Sequence, residues 1–260
     1  MNLSVSMITF QGAAYLKAQM DSILGQSLPV HEIIVCDDGS TDGTRELLAD
    51  YAAAHPQIKL QFNTENLGTV ANMQQCLRLS TGDIIFLADQ DDVWLPNKVE
   101  KTLAFFKQNP TAEAVFSNAE IIDEVGETQF GMTLWDIIGF PFGKVELTDF
   151  ETRVDNVVTG AGLAMKRDAK LLAMDIPVLP GLLHDGWIGL YFAAKNALMA
   201  NPETLFQYRS HANQQVGGKV AERSQLLDFN LALYDGVPIM KDFKTWREAM
   251  KRLYTNLTLP

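Results

Sequence analysis

Two periods alternate with unusual regularity along the first 117 residues, and this constrains the fold more than any other feature. Leu3 to Phe10 is rich in Val, Ile and Thr and reads as a buried strand. Ala13 to Leu24 then brings Tyr15, Leu16, Met20, Ile23 and Leu24 onto one helical face, closed by Gly25. Glu32–Cys36, Ile58–Phe62, Ile84–Ala88 and Ala114–Ser117 repeat the strand pattern. Helical stretches separate them: one through Ala54, one over Gly68 to Leu79, and one from Pro96, a residue tolerated in a first turn, to Gln108. Such alternation with short loops predicts an α/β fold, with a Rossmann-like, mostly parallel sheet covered by helices on both faces. Ligands of such sheets gather at the carboxyl ends of the strands.

The second half is less regular. Ile121 to Leu147 mixes Gly, Pro and aromatic residues without a clean period and reads as a long functional loop or lid. Val157–Met165 and Thr204–Arg209 read as strands, and Asp185–Asn196 as a helix. The tail from Ala221 carries two helical stretches split by Gly236-Val237-Pro238. No repeat or linker marks an independent second domain. The expected organisation is one domain over 1–220, with halves at 1–117 and 118–220, and a helical extension over 221–260.

Acidic residues gather at two expected strand ends. Asp89-Gln90-Asp91-Asp92 follows the apolar run Ile84–Ala88. Three carboxylates within four residues repel one another unless a cation or hydrogen-bond donors compensate. Hard cations such as Mg²⁺ and Mn²⁺ take oxygen ligands, often one or two carboxylates plus substrate phosphates. Asp89 and Asp91 together therefore read as a metal and nucleotide site, whereas Asp92 reads equally as a ligand or as a cap for the following helix. The second cluster is Asp37-Asp38-Gly39-Ser40, where Asp38 is the candidate to meet a base or ribose, and Gly39, Ser40 and Thr41 read as a turn and cap. The stretch from Gly39 to Gly43 lacks the Lys of a phosphate-binding P-loop.

Read together, these motifs resemble glycosyltransferase family 2. The residues that carry the likeness are Ser6 to Gly12, Glu32 to Thr44, Asn66-Leu67-Gly68 and Phe86 to Trp94. It continues through Thr159-Gly160-Ala161-Gly162, His184-Asp185-Gly186-Trp187 and Tyr208-Arg209-Ser210-His211-Ala212-Asn213-Gln214, followed by Gly217. The forms Asp-Gln-Asp-Asp-Val-Trp and Tyr-Arg-x-His-x-Asn are similar to the bacterial rhamnosyltransferase-like branch, which builds O-antigen and capsule. The resemblance implies a GT-A fold, a nucleoside-diphosphate sugar donor, inversion at the anomeric carbon and a Mn²⁺ or Mg²⁺ cofactor. It places Thr9 and Gln11 in the nucleotide pocket, Asp38 at the pyrimidine base and Asn66 on the donor side. Asp89 falls towards the ribose, Asp91 on the metal and Asp185 as general base, with Arg209 and His211 near the diphosphate and His211 also a metal ligand. Gly186 departs from the family pattern, which has an aromatic or charged residue after the base.

Chemistry supports those roles independently. Charge develops on the leaving diphosphate, which a cation stabilises, and a carboxylate on the opposite face of the sugar takes the acceptor proton. Asp185 opens an apolar helix: the helix N-terminus lowers its pKa and apolar neighbours raise it, and sequence does not weigh one against the other. A plain cap is the alternative for Asp185, and a satisfied loop histidine the alternative for His211. His184 is expected to pack or lie at the surface, His31 and His55 to flank loops, and Trp94 and Trp187 to be core aromatics. Cys36 and Cys76 fit no metal spacing and read as small buried hydrophobes.

Charge sharpens the partner class. The 260 residues carry a net charge of −11, against the basic footprint that nucleic-acid binding requires. Lys241 to Pro260 runs the other way, with five basic and two acidic residues. Phe243, Trp246, Met250 and Leu253 recur there at helical spacing, a pattern that suits an anionic membrane surface, the domain itself or a second subunit in a homodimer. The N-terminus lacks the basic and apolar regions of a signal peptide, so the expected location is cytoplasmic, peripheral at the inner face of the membrane. The expected partners are a dTDP-rhamnose or UDP-hexose donor and a saccharide or lipid-linked acceptor. A nucleotidyltransferase would want a Gly-rich, basic loop where Phe10-Gln11-Gly12-Ala13-Ala14 stands. A non-catalytic sugar-nucleotide-binding or scaffold protein with the same fold is the alternative from another class.

Overall fold

The computed structural model describes residues 1–138, 143–144, 158–168, 171–172, 175–176 and 183–212. Its first half is β1 (Leu3–Thr9), α1 (Ala13–Leu24), β2 (Glu32–Asp37), α2 (Thr44–Ala54), β3 (Ile58–Phe62), α3 (Thr69–Leu79) and β4 (Ile84–Ala88). Then follow β5 (Val93–Trp94), α4 (Lys98–Gln108), β6 (Ala114–Ile122), β7 (Thr128–Thr133), α5 (Leu134–Ile138) and β8 (Gly143–Lys144). A 3₁₀ turn at Gly160–Gly162 leads into β9 (Leu163–Lys166), α6 (His184–Ala194) and β10 (Leu198–Arg209).

The strands form one sheet in the order β3-β2-β1-β4-β9-β6-β10-β5, with β7 on β6 and β8 on β10. Strands β1 to β4 are mutually parallel, as are β6 and β10, while β9 runs antiparallel between β4 and β6. Every residue of β2 and β4 is buried, as strands covered on both faces require. Right-handed crossovers put α1 and α2 on one face and α3, which returns from β3 to β4, on the other. The core runs through Val5, Met7, Leu16, Met20, Val35, Ile85, Phe86, Phe116, Trp187 and Phe192. Cys36 and Cys76 are buried thiols, and Trp94 and Trp187 are core aromatics.

Four expectations change in the second half. The strand expected over Ala114–Ser117 runs on to Ile122, because β10 pairs with it along its whole length. β10 itself begins at Leu198 rather than Thr204, continuing past register shifts between Asn201 and Phe206. The irregular stretch after Ile121 is not a loop throughout: β7 folds back on β6 through a turn at Gly126, whose φ is 94°. Asp123 Oδ1 secures that turn by accepting the Val125 and Glu127 N–H groups, and Trp135 of α5 packs edge-on to Phe116 at 5.4 Å. The expected strand Val157–Met165 is interrupted by the 3₁₀ turn, and β9 starts only at Leu163. Gly162 permits the close approach there, since a Cβ would lie 2.9 Å from the Ser117 carbonyl oxygen. The tail after Ala212, with Asn213, Gln214 and the basic stretch 241–260, lies outside the described residues.

Candidate active site

The loops after β1, β2 and β4 meet at the carboxyl edge of the sheet and are tied to one another. The Phe10 N–H donates to Gln90 Oε1 at 2.8 Å, and Gln90 Nε2 donates back to the Phe10 carbonyl at 2.9 Å. Gly12 makes room for this tie, because a Cβ would fall 2.1 Å from Gln90 Oε1. Gln11 adopts a left-handed φ of 50°; its N–H donates to Ser40 Oγ, and its side-chain amide bonds Thr41. Thr9 is buried and donates to Asp37 Oδ1 at 3.0 Å. Burial pushes the Asp37 carboxyl up, but the Ser40, Arg45 and Thr9 hydrogen bonds outweigh it and hold it low. Thr9 and Gln11 therefore shape the loop, with only Gln11 exposed.

Asp38 is buried and organises the neighbouring loop. Its Oδ1 accepts the Leu67 N–H at 2.8 Å and Asn63 Nδ2 at 3.0 Å, and its Oδ2 accepts the Gly68 N–H at 2.9 Å. Asn66 stands exposed in that loop, its own Oδ1 on the Gly68 N–H. Gly39, at φ 87°, makes the intervening turn as expected, but Ser40 holds Asp37 and Gln11 rather than capping a helix.

The second acidic cluster meets β10. Asp91 Oδ2 and His211 Nε2 stand 3.0 Å apart, and the two side chains are only 17 % and 7 % exposed. Arg209 Nε donates to the Asp91 carbonyl at 2.7 Å, and its Nη1 donates to the Asp123 and Glu124 carbonyls. Tyr15 lies beneath both, its ring 4.7 Å from the His211 ring and 4.9 Å from the Arg209 guanidinium carbon. Tyr15 is thus half-exposed at the site rather than part of the core face its spacing suggested. Asp92 is not the cap of the following helix: Asn97 precedes α4, and Asp92 Oδ1 accepts the Arg209 N–H at 2.9 Å. Burial and the Asp91 and Asp89 charges push its carboxyl well up. Asp89 makes no hydrogen bond among the described residues, and burial, then the Asp91 charge, raises it to about 6.

Asp185 lies at the start of α6 across from these acids. Its Oδ2 accepts the Gly160 N–H at 3.1 Å and its Oδ1 the Gly186 N–H at 2.7 Å. Burial nevertheless prevails over those donors and raises the carboxyl to about 6. His184 is buried, and neither ring nitrogen has a partner among the described residues; its Nε2 would lie 3.1 Å from a Cβ at residue 160. Lys98, in the first turn of α4, is also buried. Its Nζ donates to the Ala161 carbonyl at 2.6 Å, facing the Trp94 and Phe206 rings at 4.8 and 4.4 Å. Removal of an ammonium from water costs several kcal/mol, and burial lowers the Lys98 pKa to about 7 against the raising influence of Asp92 and Asp89. The legible signal for Lys98 was its place six residues after Asp92 and four after Trp94; for Tyr15 there was none beyond helical spacing.

Among the described residues no three His, Cys, Asp or Glu side chains converge as a ready cation cage. Asp91 and His211 offer one carboxylate and one imidazole side by side, a donor set that fits a hard cation completed by phosphate oxygens and water.

Fold and site together define an α/β protein with its polar apparatus at the carboxyl ends of parallel strands. The family model for glycosyl transferase family 2 matches residues 4–170, and the chain belongs to that family. EpsE of Bacillus subtilis, assigned as a glycosyltransferase, is 37 % identical over 125 residues, 48 % of this chain and 45 % of EpsE. The Escherichia coli UDP-Glc:alpha-D-GlcNAc-diphosphoundecaprenol beta-1,3-glucosyltransferase WfgD is 29 % identical over 121 residues, 46 % of this chain and 47 % of WfgD. The chain spans about half the length of these curated relatives. Among solved structures, S. aureus TarS in complex with UDP-GlcNAc superposes with a TM-score of 0.63 at 16 % identity, over 90 % of this chain and 69 % of that one. The Pyrobaculum calidifontis mannosyltransferase PcManGT, in complex with GDP-Man and Mn²⁺, gives 0.58 at 19 % identity, over 97 % and 73 %. At these identities the likeness shows the fold, which is GT-A.

Proposed function

We propose that this glycosyltransferase moves a sugar, with inversion, from a pyrimidine nucleoside diphosphate to a saccharide or lipid-linked saccharide during bacterial surface polysaccharide synthesis. The carrying observation is Asp185: two backbone N–H groups orient its carboxylate, and burial raises it to about 6, the range suited to a general base. In this reading Asp185 takes the acceptor hydroxyl proton while the acceptor oxygen bonds to the anomeric carbon. The bond from that carbon to the diphosphate oxygen breaks, and its electron pair leaves with the nucleotide. The loops that Thr9, Gln11, Asp38 and Asn66 shape hold the nucleotide, Asp89 faces the ribose, and Arg209 fixes the Asp91 loop beside the diphosphate. Asp91 and His211 would hold Mn²⁺ or Mg²⁺, which neutralises charge on the leaving diphosphate.

The complexes of TarS with UDP-GlcNAc and of PcManGT with GDP-Man support the donor class, and the Mn²⁺ bound with PcManGT supports a divalent cation. WfgD's name supports a lipid-linked acceptor. The rhamnosyl-like motif forms place dTDP-rhamnose slightly ahead of a UDP-hexose. Residues 1–220 form the catalytic domain in this reading, and 241–260 carry it to the membrane surface. Among the described residues no helix is long and apolar enough to cross a membrane.

The test is a thermal-shift panel of UDP-, dTDP- and GDP-sugars with Mn²⁺ or chelator, followed by donor hydrolysis and transfer assays. One nucleotide is expected to stabilise by mass action and to be turned over only with metal. Binding without any turnover would instead favour a sugar-nucleotide-binding protein. Anionic liposomes test the tail: binding unchanged after deletion of 241–260 would remove its membrane role.

A further inference from the structure

We propose that Lys98 is a positioning residue for Asp185, its Nζ pinning the Gly160–Gly162 turn that presents the Gly160 N–H to the carboxylate. The inference rests on Asp185 being the base. Lys98 opens α4 on the donor side of the sheet, whereas the turn and Asp185 come from the second half of the chain. One hydrogen bond, Lys98 Nζ to the Ala161 carbonyl at 2.6 Å, joins them. From the same turn the Gly160 N–H reaches Asp185 Oδ2 at 3.1 Å, so two bonds span the path from Lys98 to the base.

The position would otherwise suit an apolar side chain. Lys98 is 1 % exposed, and its head lies between Trp94 and Phe206, which face each other as neighbours on β5 and β10. A Met of similar length fills such a slot without the desolvation of a charge. What Met cannot supply is a donor for the Ala161 carbonyl. Nor can it offset the Asp92 and Asp89 charges nearby. The Nζ donor therefore serves the turn rather than the packing.

Lys98→Met and Gly160→Ala in the full chain test this. Gly160→Ala loads the same link from its other end, because the new Cβ meets His184 Nε2 at 3.1 Å. Three quantities are read: amide exchange at Gly160 by NMR, Kd for UDP with Mn²⁺, and kcat on the nucleotide sugar preferred in the panel. In Lys98→Met, exchange at Gly160 is expected to rise about tenfold or more. In both variants kcat falls about 10²-fold, the usual cost of a misplaced group, while Kd for UDP is kept. Unchanged Gly160 exchange in Lys98→Met overturns the proposal, as does parallel loss of kcat and UDP affinity, which marks general damage. Should Lys98→Met not fold, full turnover in Gly160→Ala overturns it. A wild-type protein inert on every sugar nucleotide sinks the proposed function instead, and the Gly160 exchange comparison still decides the pin.

Discussion

The Gly160 backbone N–H donates to Asp185 Oδ2 at 3.1 Å, joining a 3₁₀ turn to the first turn of α6. A residue with a side chain at 160 would press on His184 Nε2, so the glycine belongs to the geometry of the carboxylate. With Gly186 N–H on Oδ1, Asp185 is fixed at both oxygens before any substrate arrives.

Asp185→Asn should remove the basicity and leave the Gly160 or the Gly186 N–H without an acceptor. Transfer is expected to fall about 10²–10⁴-fold with nucleotide affinity retained. Full activity in that variant would exclude Asp185 as base.

The raised Asp185 carboxyl also sets a pH dependence. Protonated below about 6, it accepts no proton, so kcat should fall as pH drops through about 6 and level off above it. Asp89, also raised to about 6, adds to the same limb in wild type. A profile flat from pH 5 to 8 would contradict both assignments.

At the metal pair, Asp91→Asn and His211→Ala should each weaken the Mn²⁺-dependent part of the nucleotide thermal shift. The expected loss of Mn²⁺ affinity is about tenfold or more. Equal shifts with Mn²⁺ and with chelator in the wild type would remove the metal from Asp91.

Asp38→Asn puts an amide where three N–H donors converge from Asn63, Leu67 and Gly68. Leaving a buried donor unmatched costs about 1–3 kcal/mol. Urea denaturation should show that loss, and limited proteolysis should cut the released loop near Asn66. UDP affinity should fall with it.

Glu32 offers a stability test away from the site. Burial pushes its carboxyl up, but hydrogen bonds from Lys59, Ser4 and Thr81 outweigh this and hold it at about 2. A depressed carboxyl stabilises the fold above its unfolded value of 4.5, and that contribution is lost as pH falls towards 2. The shift corresponds to on the order of 3 kcal/mol. Glu32→Gln should therefore be less stable at pH 7 and lose less stability between pH 5 and 2. A parallel acid profile for variant and wild type would count against this.

The first half of the fold was legible because β1, β2 and β4 are buried on both faces, so sequence period and burial coincide there. Helix α1 spans the expected Ala13–Leu24 without change. Legibility fails where long-range contacts dictate structure: β10 extends β6 past Ser117, and the Ser117 backbone lies too close to Gly162 for a side chain there. At the candidate site, local runs singled out Asp89, Asp91 and Asp38 because their acidity contrasts with the apolar strands before them. Lys98 and Tyr15 were missed because their work depends on partners 63 and 196 residues away along the chain. The cap reading of Asp92 failed for the same reason, since its partner is the Arg209 N–H.

By itself, the sequence determined the parallel sheet, the acidic edge and the family motifs, all encoded within short windows by period and residue type. The tertiary structure decided the contest at Asp185. A helix N-terminus lowers a carboxylate and apolar surroundings raise it, and both influences were visible in one dozen residues. Which prevails depends on how much water reaches the carboxylate, and that is set by the tertiary packing of Gly160 and His184 around it. In the folded chain burial prevails, and Asp185 rises to about 6.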